Sequence, residues 1–401
     1  MNSIEVTEKL ALNARYMTLE PAEECGISAA RSARTAPSRL AERTSSASSG
    51  ELERLGIYQA ALPGGRRVPL LKTLLTSACE RDCLYCPFRA RRNFRRQTFS
   101  PEEMAATFMS MHQAGLVQGL FLSSGLAGSG VRTEDRLLAS AEILRQKLGY
   151  RGYLHLKLMP GAERAQIERA MQLADRVSIN LEAPSSERLA RLAPHKRFAD
   201  LLEPLSWAEA LRRQSPPPQG KDRWPSLTTQ FVVGAAGESD RELLELSAKL
   251  FGQLHLQRVY YSAFSPVEDT PLEGCPAEEP RRAARLYQAS FLLRDYGFAA
   301  GELPYDEQGE LPLQSDPKLA WAQAHLSEAP VELNTADRAT LLRVPGIGPR
   351  SADAILRARR TATLREPRAL RPLGVSASRA LPFILLDGKR PARQLPLPLG
   401  D

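Results

Sequence analysis

The sequence predicts an α/β chain, a partial (β/α)6 barrel followed by a small all-helical domain. Three observations carry that reading. Strand and helix patterns alternate six times in order along residues 68–296. Three of those strands set polar residues on one face and apolar residues on the other. Three cysteines, Cys79, Cys83 and Cys86, stand in the loop after the first of the six strands. In α/β barrels the loops at strand C-terminal ends carry the chemistry.

The first barrel strand is Val68–Leu75, an unbroken apolar run ending in Thr76-Ser77, as a strand buried on both faces reads. A helix opens at Ser100-Pro101-Glu102-Glu103, where Ser caps and Pro fills the first turn. Strand Gly119–Ser123 leads to a helix from about Glu134 to Leu148, and strand Tyr153–Leu158 to a helix opened by Pro160-Gly161-Ala162-Glu163. Strand Val177–Leu181 precedes helical material to about Arg213, then a proline loop at Ser215–Gly220. Strand Leu227–Val233, helix Asp240–Phe251, strand Gln257–Ser262 and a helix near Pro280–Tyr296 complete the series. Repeated βα units argue for a parallel sheet that curls into a partial barrel.

Alternation then sorts the faces. His155 and Lys157 share one face with Tyr153, against Leu154, Leu156 and Leu158; Ser178, Asn180 and Glu182 oppose Val177, Ile179 and Leu181. Thr228 and Gln230 oppose Thr229, Phe231 and Val233. Either the polar face lines a barrel lumen or it is the wet side of an antiparallel sheet. The intervening helices favour a lumen that holds cofactor and substrate.

At 401 residues the chain exceeds one average domain. The segments expected are a weakly ordered N-terminal stretch (1–54), a barrel core (55–300), a connection (301–330), a helical domain (331–390) and an exposed tail (391–401). No run of about 18 apolar residues predicts a membrane span, and Met1 to Met17 lacks a signal-peptide core. Few cysteines, three of them clustered, fit the reducing cytoplasm. The formal net charge is +8, and Glu332–Arg393 alone carries thirteen Arg or Lys against five Asp or Glu. A basic module on a near-neutral body predicts a polyanionic partner. A second basic patch, Arg89, Arg91, Arg92, Arg95 and Arg96, follows the cysteines; it reads as a solvated loop or as a phosphate grip.

Three thiolates fill three corners of a four-iron cubane and leave the fourth iron open, whereas such clusters are normally closed by four cysteines. A zinc site would need a fourth ligand, and no Cys or His stands at a close repeat spacing; Cys25 and Cys275 are distant. The pattern Cys-x3-Cys-x2-Cys with Tyr85 before its last member resembles the radical S-adenosylmethionine (SAM) superfamily. The resemblance implies a [4Fe–4S] cluster held by Cys79, Cys83 and Cys86, and SAM chelating the open iron. It also implies an electron donor and hydrogen abstraction by a 5′-deoxyadenosyl radical. In that superfamily the turn after the next strand binds the cofactor amine; here Ser123, Ser124 and Gly125 replace the commoner Gly-Gly-Glu. Asn180 and Glu182 are placed along the cofactor. Phe231–Glu238, with Val232 and Gly234, resembles the strand and turn that cradle adenine. His155, Lys157 and Gln230 are expected to face the substrate as catalytic residues. Cys275 or Tyr261 could return a hydrogen atom, or be a packed thiol and a core tyrosine.

Val344-Pro-Gly-Ile-Gly-Pro-Arg350 sits between a short helix, Thr335–Arg343, and a second, Ser351–Arg360. This resembles a helix–hairpin–helix DNA-binding motif. Gly346 and Gly348 allow a tight turn whose amides, with the next helix N-terminus and Arg350, meet a phosphate. A degenerate copy follows, with Gly374 aligned to Gly346. The end, Gln394 to Leu399, resembles the peptide by which bacterial repair proteins dock on the sliding clamp, or is a plain tail.

From Gly56 to Arg360 the pieces together resemble the DNA modification/repair radical SAM proteins often encoded beside a uracil-DNA-glycosylase-like protein. Those pieces include Gly119-Leu-Phe-Leu-Ser-Ser-Gly, Ala174-Asp-Arg-Val-Ser-Ile-Asn and Thr229-Gln-Phe-Val-Val-Gly. The resemblance implies an enzyme acting on duplex DNA without sequence preference, with that protein and the clamp as partners. The alternatives are an RNA-modifying enzyme with the same cluster and a non-catalytic DNA-binding adaptor.

Overall fold

The computed structural model describes residues 3–15, 17, 49–61, 67–218 and 220–391. The chain divides into two compact units, Met1–Glu238 with Lys249–Pro280, and Ser239–Ala248 with Arg281–Asp401. The change-over at Pro280 comes before the expected boundary at residue 300. Within 1–54 the described parts are helical, Ser3–Ala14 and Ser49–Arg54. The first packs on the barrel, where buried Asn13 donates from Nδ2 to Leu74 O at 2.9 Å. The segment 392–401, with the expected clamp peptide, lies outside the described residues, as does Cys25.

The first unit is built on a seven-stranded sheet in chain order: β1 Ile57–Ala61, β2 Arg67–Leu74, β3 Gly119–Ser123, β4 Tyr153–Lys157, β5 Arg176–Ser178, β6 Ser226–Val233 and β7 Arg258–Ala263. Strands β2 to β7 are parallel, as six βα units require. The short β1, which sequence patterning left unassigned, adds an antiparallel edge on β2. Helices follow from local signals: at Pro101–Gln113, Ser100 Oγ accepts from Glu103 N while Glu103 accepts from Ser100 N. Strand β2 is buried along nearly its whole length, so both its faces are covered.

Strand register turns the alternating residues into layers inside the curled sheet. Lys72, Phe121, His155 and Arg176 stand at one level, and Lys157, Ser178 and Thr228 at the next. Met17, Leu70, Leu74 and Phe121 form an apolar cluster with Phe88 and Tyr153. The polar face is therefore a lumen. Strand β5 stops at Ser178, earlier than the expected Leu181, because the chain leaves the ladder to reach Glu182. There φ is +66°, and Glu182 pairs as an isolated bridge with Phe231.

The second unit holds helices Arg338–Arg343 and Pro349–Ala358, joined by the turn 344–348. The first helix starts at Arg338 and not at Thr335, since Asp337 is the residue whose carboxylate caps Thr340 N, at 2.7 Å. The segment expected as a degenerate copy holds a 3-10 turn, Pro367–Leu373, and a four-residue helix, Ala377–Ala380. Its Pro372 and Pro382 deny the backbone donors a longer helix needs. Strands Val331–Glu332 and Ile384–Leu385 pair in parallel and close the unit. Leu341, Ile347, Ile355, Leu370, Val375 and Phe383 share one core. Among the described residues no helix is long and apolar enough to cross a membrane.

Candidate functional site

The C-terminal ends of the parallel strands surround one cavity. Cys79, Cys83 and Cys86 form one wall, and Ser123, Ser124, Gly125, Lys157, Asn180, Glu182, Gln230 and Val232 contribute from β3 to β6 and the loops after them. Two of the expected site residues stand elsewhere. His155 lies two positions below Lys157 on the same face, 1% exposed, with Nε2 at 2.8 Å from Ser178 Oγ and its ring edge-on to Phe121. It supports the cavity floor, since alternation fixes a face but not a depth. Gly234 shapes the turn after β6, at φ +96°, where a Cβ would stand 2.2 Å from Glu278 Oε2. Buried Glu238 accepts from Gly234 N and Ala236 N, which holds the turn open. Tyr261 is buried and Cys275 exposed, and neither lines the cavity.

The cysteine loop is tied to the barrel top by main-chain bonds. Glu80 N donates to Leu126 O at 2.8 Å and Leu84 N to Leu192 O at 2.7 Å, while Ala90 N donates to Arg81 O at 2.7 Å and closes the loop on itself. Cys83 is buried, and Cys86 Sγ accepts from Phe88 N at 3.4 Å. Burial is the main cause that pushes both the Cys83 and Cys86 thiols up, so they carry protons until a metal displaces them. Among the described residues no three His, Cys, Asp or Glu converge on a single ion. A cubane asks for something different, one thiolate per iron around a corner, and three cysteines on one cavity wall suit that demand.

The arginine patch divides: Arg91 and Arg95 are exposed, while Arg89, Arg92 and Arg96 turn onto carbonyls. Arg92 donates from Nε to Glu268 O and from Nη1 to Pro87 O, at 2.8 and 3.0 Å. Arg96 donates to four loop carbonyls, and Arg89 to Asp82 O at 3.3 Å. Arg95 reaches outward to Glu8.

Sequence patterning missed Lys196. It enters from the loop after helix Ser186–Leu192 and places Nζ 2.8 Å from Glu182 Oε1, both groups nearly sealed from solvent. Burial works to raise the Glu182 carboxyl, but the Lys196 and Lys157 ammoniums overcome it and hold it below the usual carboxylate range. Burial likewise opposes the Lys196 ammonium, and Cys83 and Glu182 more than restore its charge. Glu182 Oε2 is buried with no well-aligned donor; the Tyr85 hydroxyl is its neighbour. An ionised acceptor with a spare lone pair, a buried cation and three thiols thus share one enclosure. The set fits a ligand with hydroxyl donors and a carboxylate beside a cluster. No spacing rule ties residue 196 to the cysteines; the Leu84–Leu192 bond and the His195–Asp82 contact at 2.9 Å bring its loop to them.

In the second unit, Gly346 adopts φ +83°, and its added Cβ would stand 2.5 Å from Ser376 O. Among the described residues no acceptor takes the Gly346 or Gly348 N–H. Arg350 is exposed at the start of helix Pro349–Ala358. Gly374, at φ +72°, takes Ser351 Oγ on its carbonyl at 2.7 Å, while Gly346 O accepts Ser376 N at 3.0 Å. The two turns are thus bonded to each other. Lys318 is buried beneath them and donates from Nζ to Ile347 O at 2.6 Å.

Residues 73–250 match the family model described as the Radical SAM superfamily. Solved structures with a similar chain course include methylornithine synthase, 18% identical, covering 58% of this chain and 64% of that one at a TM-score of 0.45. Others are the [FeFe]-hydrogenase maturase HydG from Carboxydothermus hydrogenoformans (14%, 56% and 51%, 0.44) and a radical SAM methyltransferase from Sphaerobacter thermophilus (14%, 59% and 70%, 0.42). The chain spans 64%, 49% and 51% of the first three structures it matches. No curated protein matches it. Segment 73–250 is thus similar to a radical SAM domain, a superfamily whose enzymes use a [4Fe–4S] cluster and SAM.

Proposed function

We propose, taking that domain as the premise, that the enzyme modifies or repairs DNA. The observation that carries the reading is the second unit, where the Gly346–Gly348 turn, whose two glycine amides meet no acceptor among the described residues, stands in the segment holding the net charge of +8. Amides and arginines of this kind grip phosphates without reading sequence.

Cys79, Cys83 and Cys86 would hold the cluster. Ser123, Ser124 and Gly125 give close backbone approach to the cofactor amine, and Val232 and Gly234 flank its base. When bound, the pair supplies a carbon-centred radical able to take a hydrogen atom from an unactivated carbon. The chain supplies the enclosure. Glu182 accepts from hydroxyls, and Lys196 balances a carboxylate beside the thiolates. Leu74, Leu158, Met159 and Phe264 keep water from the reacting end. Lys157 and Gln230 face the lumen where the substrate enters. His155 keeps its place beneath them as a positioning residue.

Reaction of the anaerobic, dithionite-reduced protein with SAM and a defined duplex, deuterated in its sugars or bases, tests the reading. Deuterium in 5′-deoxyadenosine supports it. Label arriving only from tRNA would move the substrate to RNA, and no 5′-deoxyadenosine from any arm would favour an adaptor. A uracil-DNA-glycosylase-like protein, the sliding clamp through Gln394–Leu399 and a cytoplasmic electron donor complete the proposed partners; pull-down with the tail removed tests the clamp.

A further inference from the structure

The loop that carries the three cysteines has little regular structure of its own. It departs beyond the end of β2 and returns beside its own start: Ser77 N donates to Gln97 O at 2.8 Å, Gln97 N to Ser77 Oγ at 2.7 Å, and the Thr76 and Thr98 hydroxyls meet at 2.6 Å. Along it stand the carbonyls of Ser77, Phe88, Arg89 and Arg92. All four turn towards one side chain. Arg96 Nη1 donates to Ser77 O at 2.9 Å and Phe88 O at 3.0 Å, and Nη2 to Arg89 O at 2.7 Å and Arg92 O at 3.3 Å. The Phe94 ring lies under the guanidinium, 4.3 Å from its carbon.

Four converging carbonyl dipoles repel one another unless a cation stands among them. A planar guanidinium offers paired donors on two nitrogens in a fixed fork, which an ammonium on a flexible stem does not reproduce. The residues it joins bracket the cysteines, with Ser77 before Cys79 and Phe88, Arg89 and Arg92 after Cys86. We propose that Arg96 is a positioning residue for the iron–sulfur site, holding the cysteine loop in its metal-ready shape so that cluster retention depends on it. It belongs to the domain's metal chemistry and is independent of the DNA reading.

The test compares wild type with Arg96→Lys, Arg96→Gln and the control Arg95→Gln, all full-length and reconstituted anaerobically. Iron release to a chelator is followed by absorbance, the apo loop by hydrogen exchange over 77–97, and the fold by melting. Arg96→Lys and Arg96→Gln are expected to release iron at least tenfold faster. Their apo forms should exchange faster over 77–97 only, with melting near wild type, and Arg95→Gln should match wild type. Release within twofold of wild type in both Arg96 variants would overturn the assignment. So would full retention by Arg96→Lys, because charge alone would then suffice. Global loss of the fold in Arg96→Lys would also overturn it, since Arg96 would then serve the core and not the loop.

Discussion

Replacing Gly125 by alanine places a methyl group against the strand end from which the cysteine loop departs. The new Cβ would stand 2.3 Å from Ala78 O, 2.9 Å from Ala78 C and 3.1 Å from Thr76 O. Ordinary carbon–oxygen contacts lie near 3.3–3.6 Å, so Ala78 must retreat by about 1 Å. It has little room, because Gly125 N bonds Thr76 O at 2.7 Å, Ser77 is held by Arg96, and Glu80 N is fixed to Leu126 O. Overpacking of this kind costs about 1–3 kcal/mol. Ala78 immediately precedes Cys79, so the strain falls on the first metal ligand. At 1.4 kcal/mol per decade, cluster retention should weaken roughly five- to a hundredfold. Iron and sulfide stoichiometry after anaerobic reconstitution, with iron-release rates, measures this; urea unfolding of the apo protein separates it from a general loss of fold. Retention equal to wild type, with an unchanged unfolding midpoint, would refute the claim that Gly125 is there for close backbone approach.

Gly346→Ala should lower duplex affinity at least tenfold in fluorescence anisotropy and leave sulfonium cleavage intact, because its φ of +83° and the 2.5 Å approach to Ser376 O forbid the present turn. Burial, then the neighbouring Arg379, lowers the Lys318 ammonium to about 7 against an ordinary value near 10.4. The folded chain then binds fewer protons than the unfolded one between those values, so stability of the second unit should rise with pH from 7 to about 10. Trp321 fluorescence, with Trp207 and Trp224 changed to Phe, reports this unit, and Lys318→Met should flatten the rise. Glu134 is the opposite case: burial pushes its carboxyl up to about 8 while Oε2 accepts Met159 N at 2.8 Å. Its contribution should fade as pH climbs from about 4.3 to 8, so the stability gap between wild type and Glu134→Gln should shrink over that range in urea melts.

The parallel order of β2 to β7 was legible because each strand is separated from the next by a helix with its own signals, such as Ser100-Pro101. Strand β1 was not legible, since five residues beside a turn carry too short a pattern. Period-two alternation named His155, Lys157 and Gln230 as lumen residues but could not say that His155 sits below the cavity, because depth comes from register between strands. Composition marked the arginines after Cys86 as charge; the inward direction of Arg89, Arg92 and Arg96 depends on carbonyls that only the folded loop brings together. Lys196 carried no signal at all. In the second unit the link by which Asn334 takes Leu364 N on Oδ1 at 2.8 Å and ties two segments together had no local signal either.

The reciprocal bonds Ser376 N to Gly346 O and Ser351 Oγ to Gly374 O have a consequence for heredity. Neither half of the C-terminal unit is a self-sufficient cassette. A gene cut after Arg360 would leave Ile347 and Ile355 without Leu370, Val375 and Phe383 to cover them, and Val331 without the strand it pairs with. The halves must therefore be inherited, shuffled or lost as one piece.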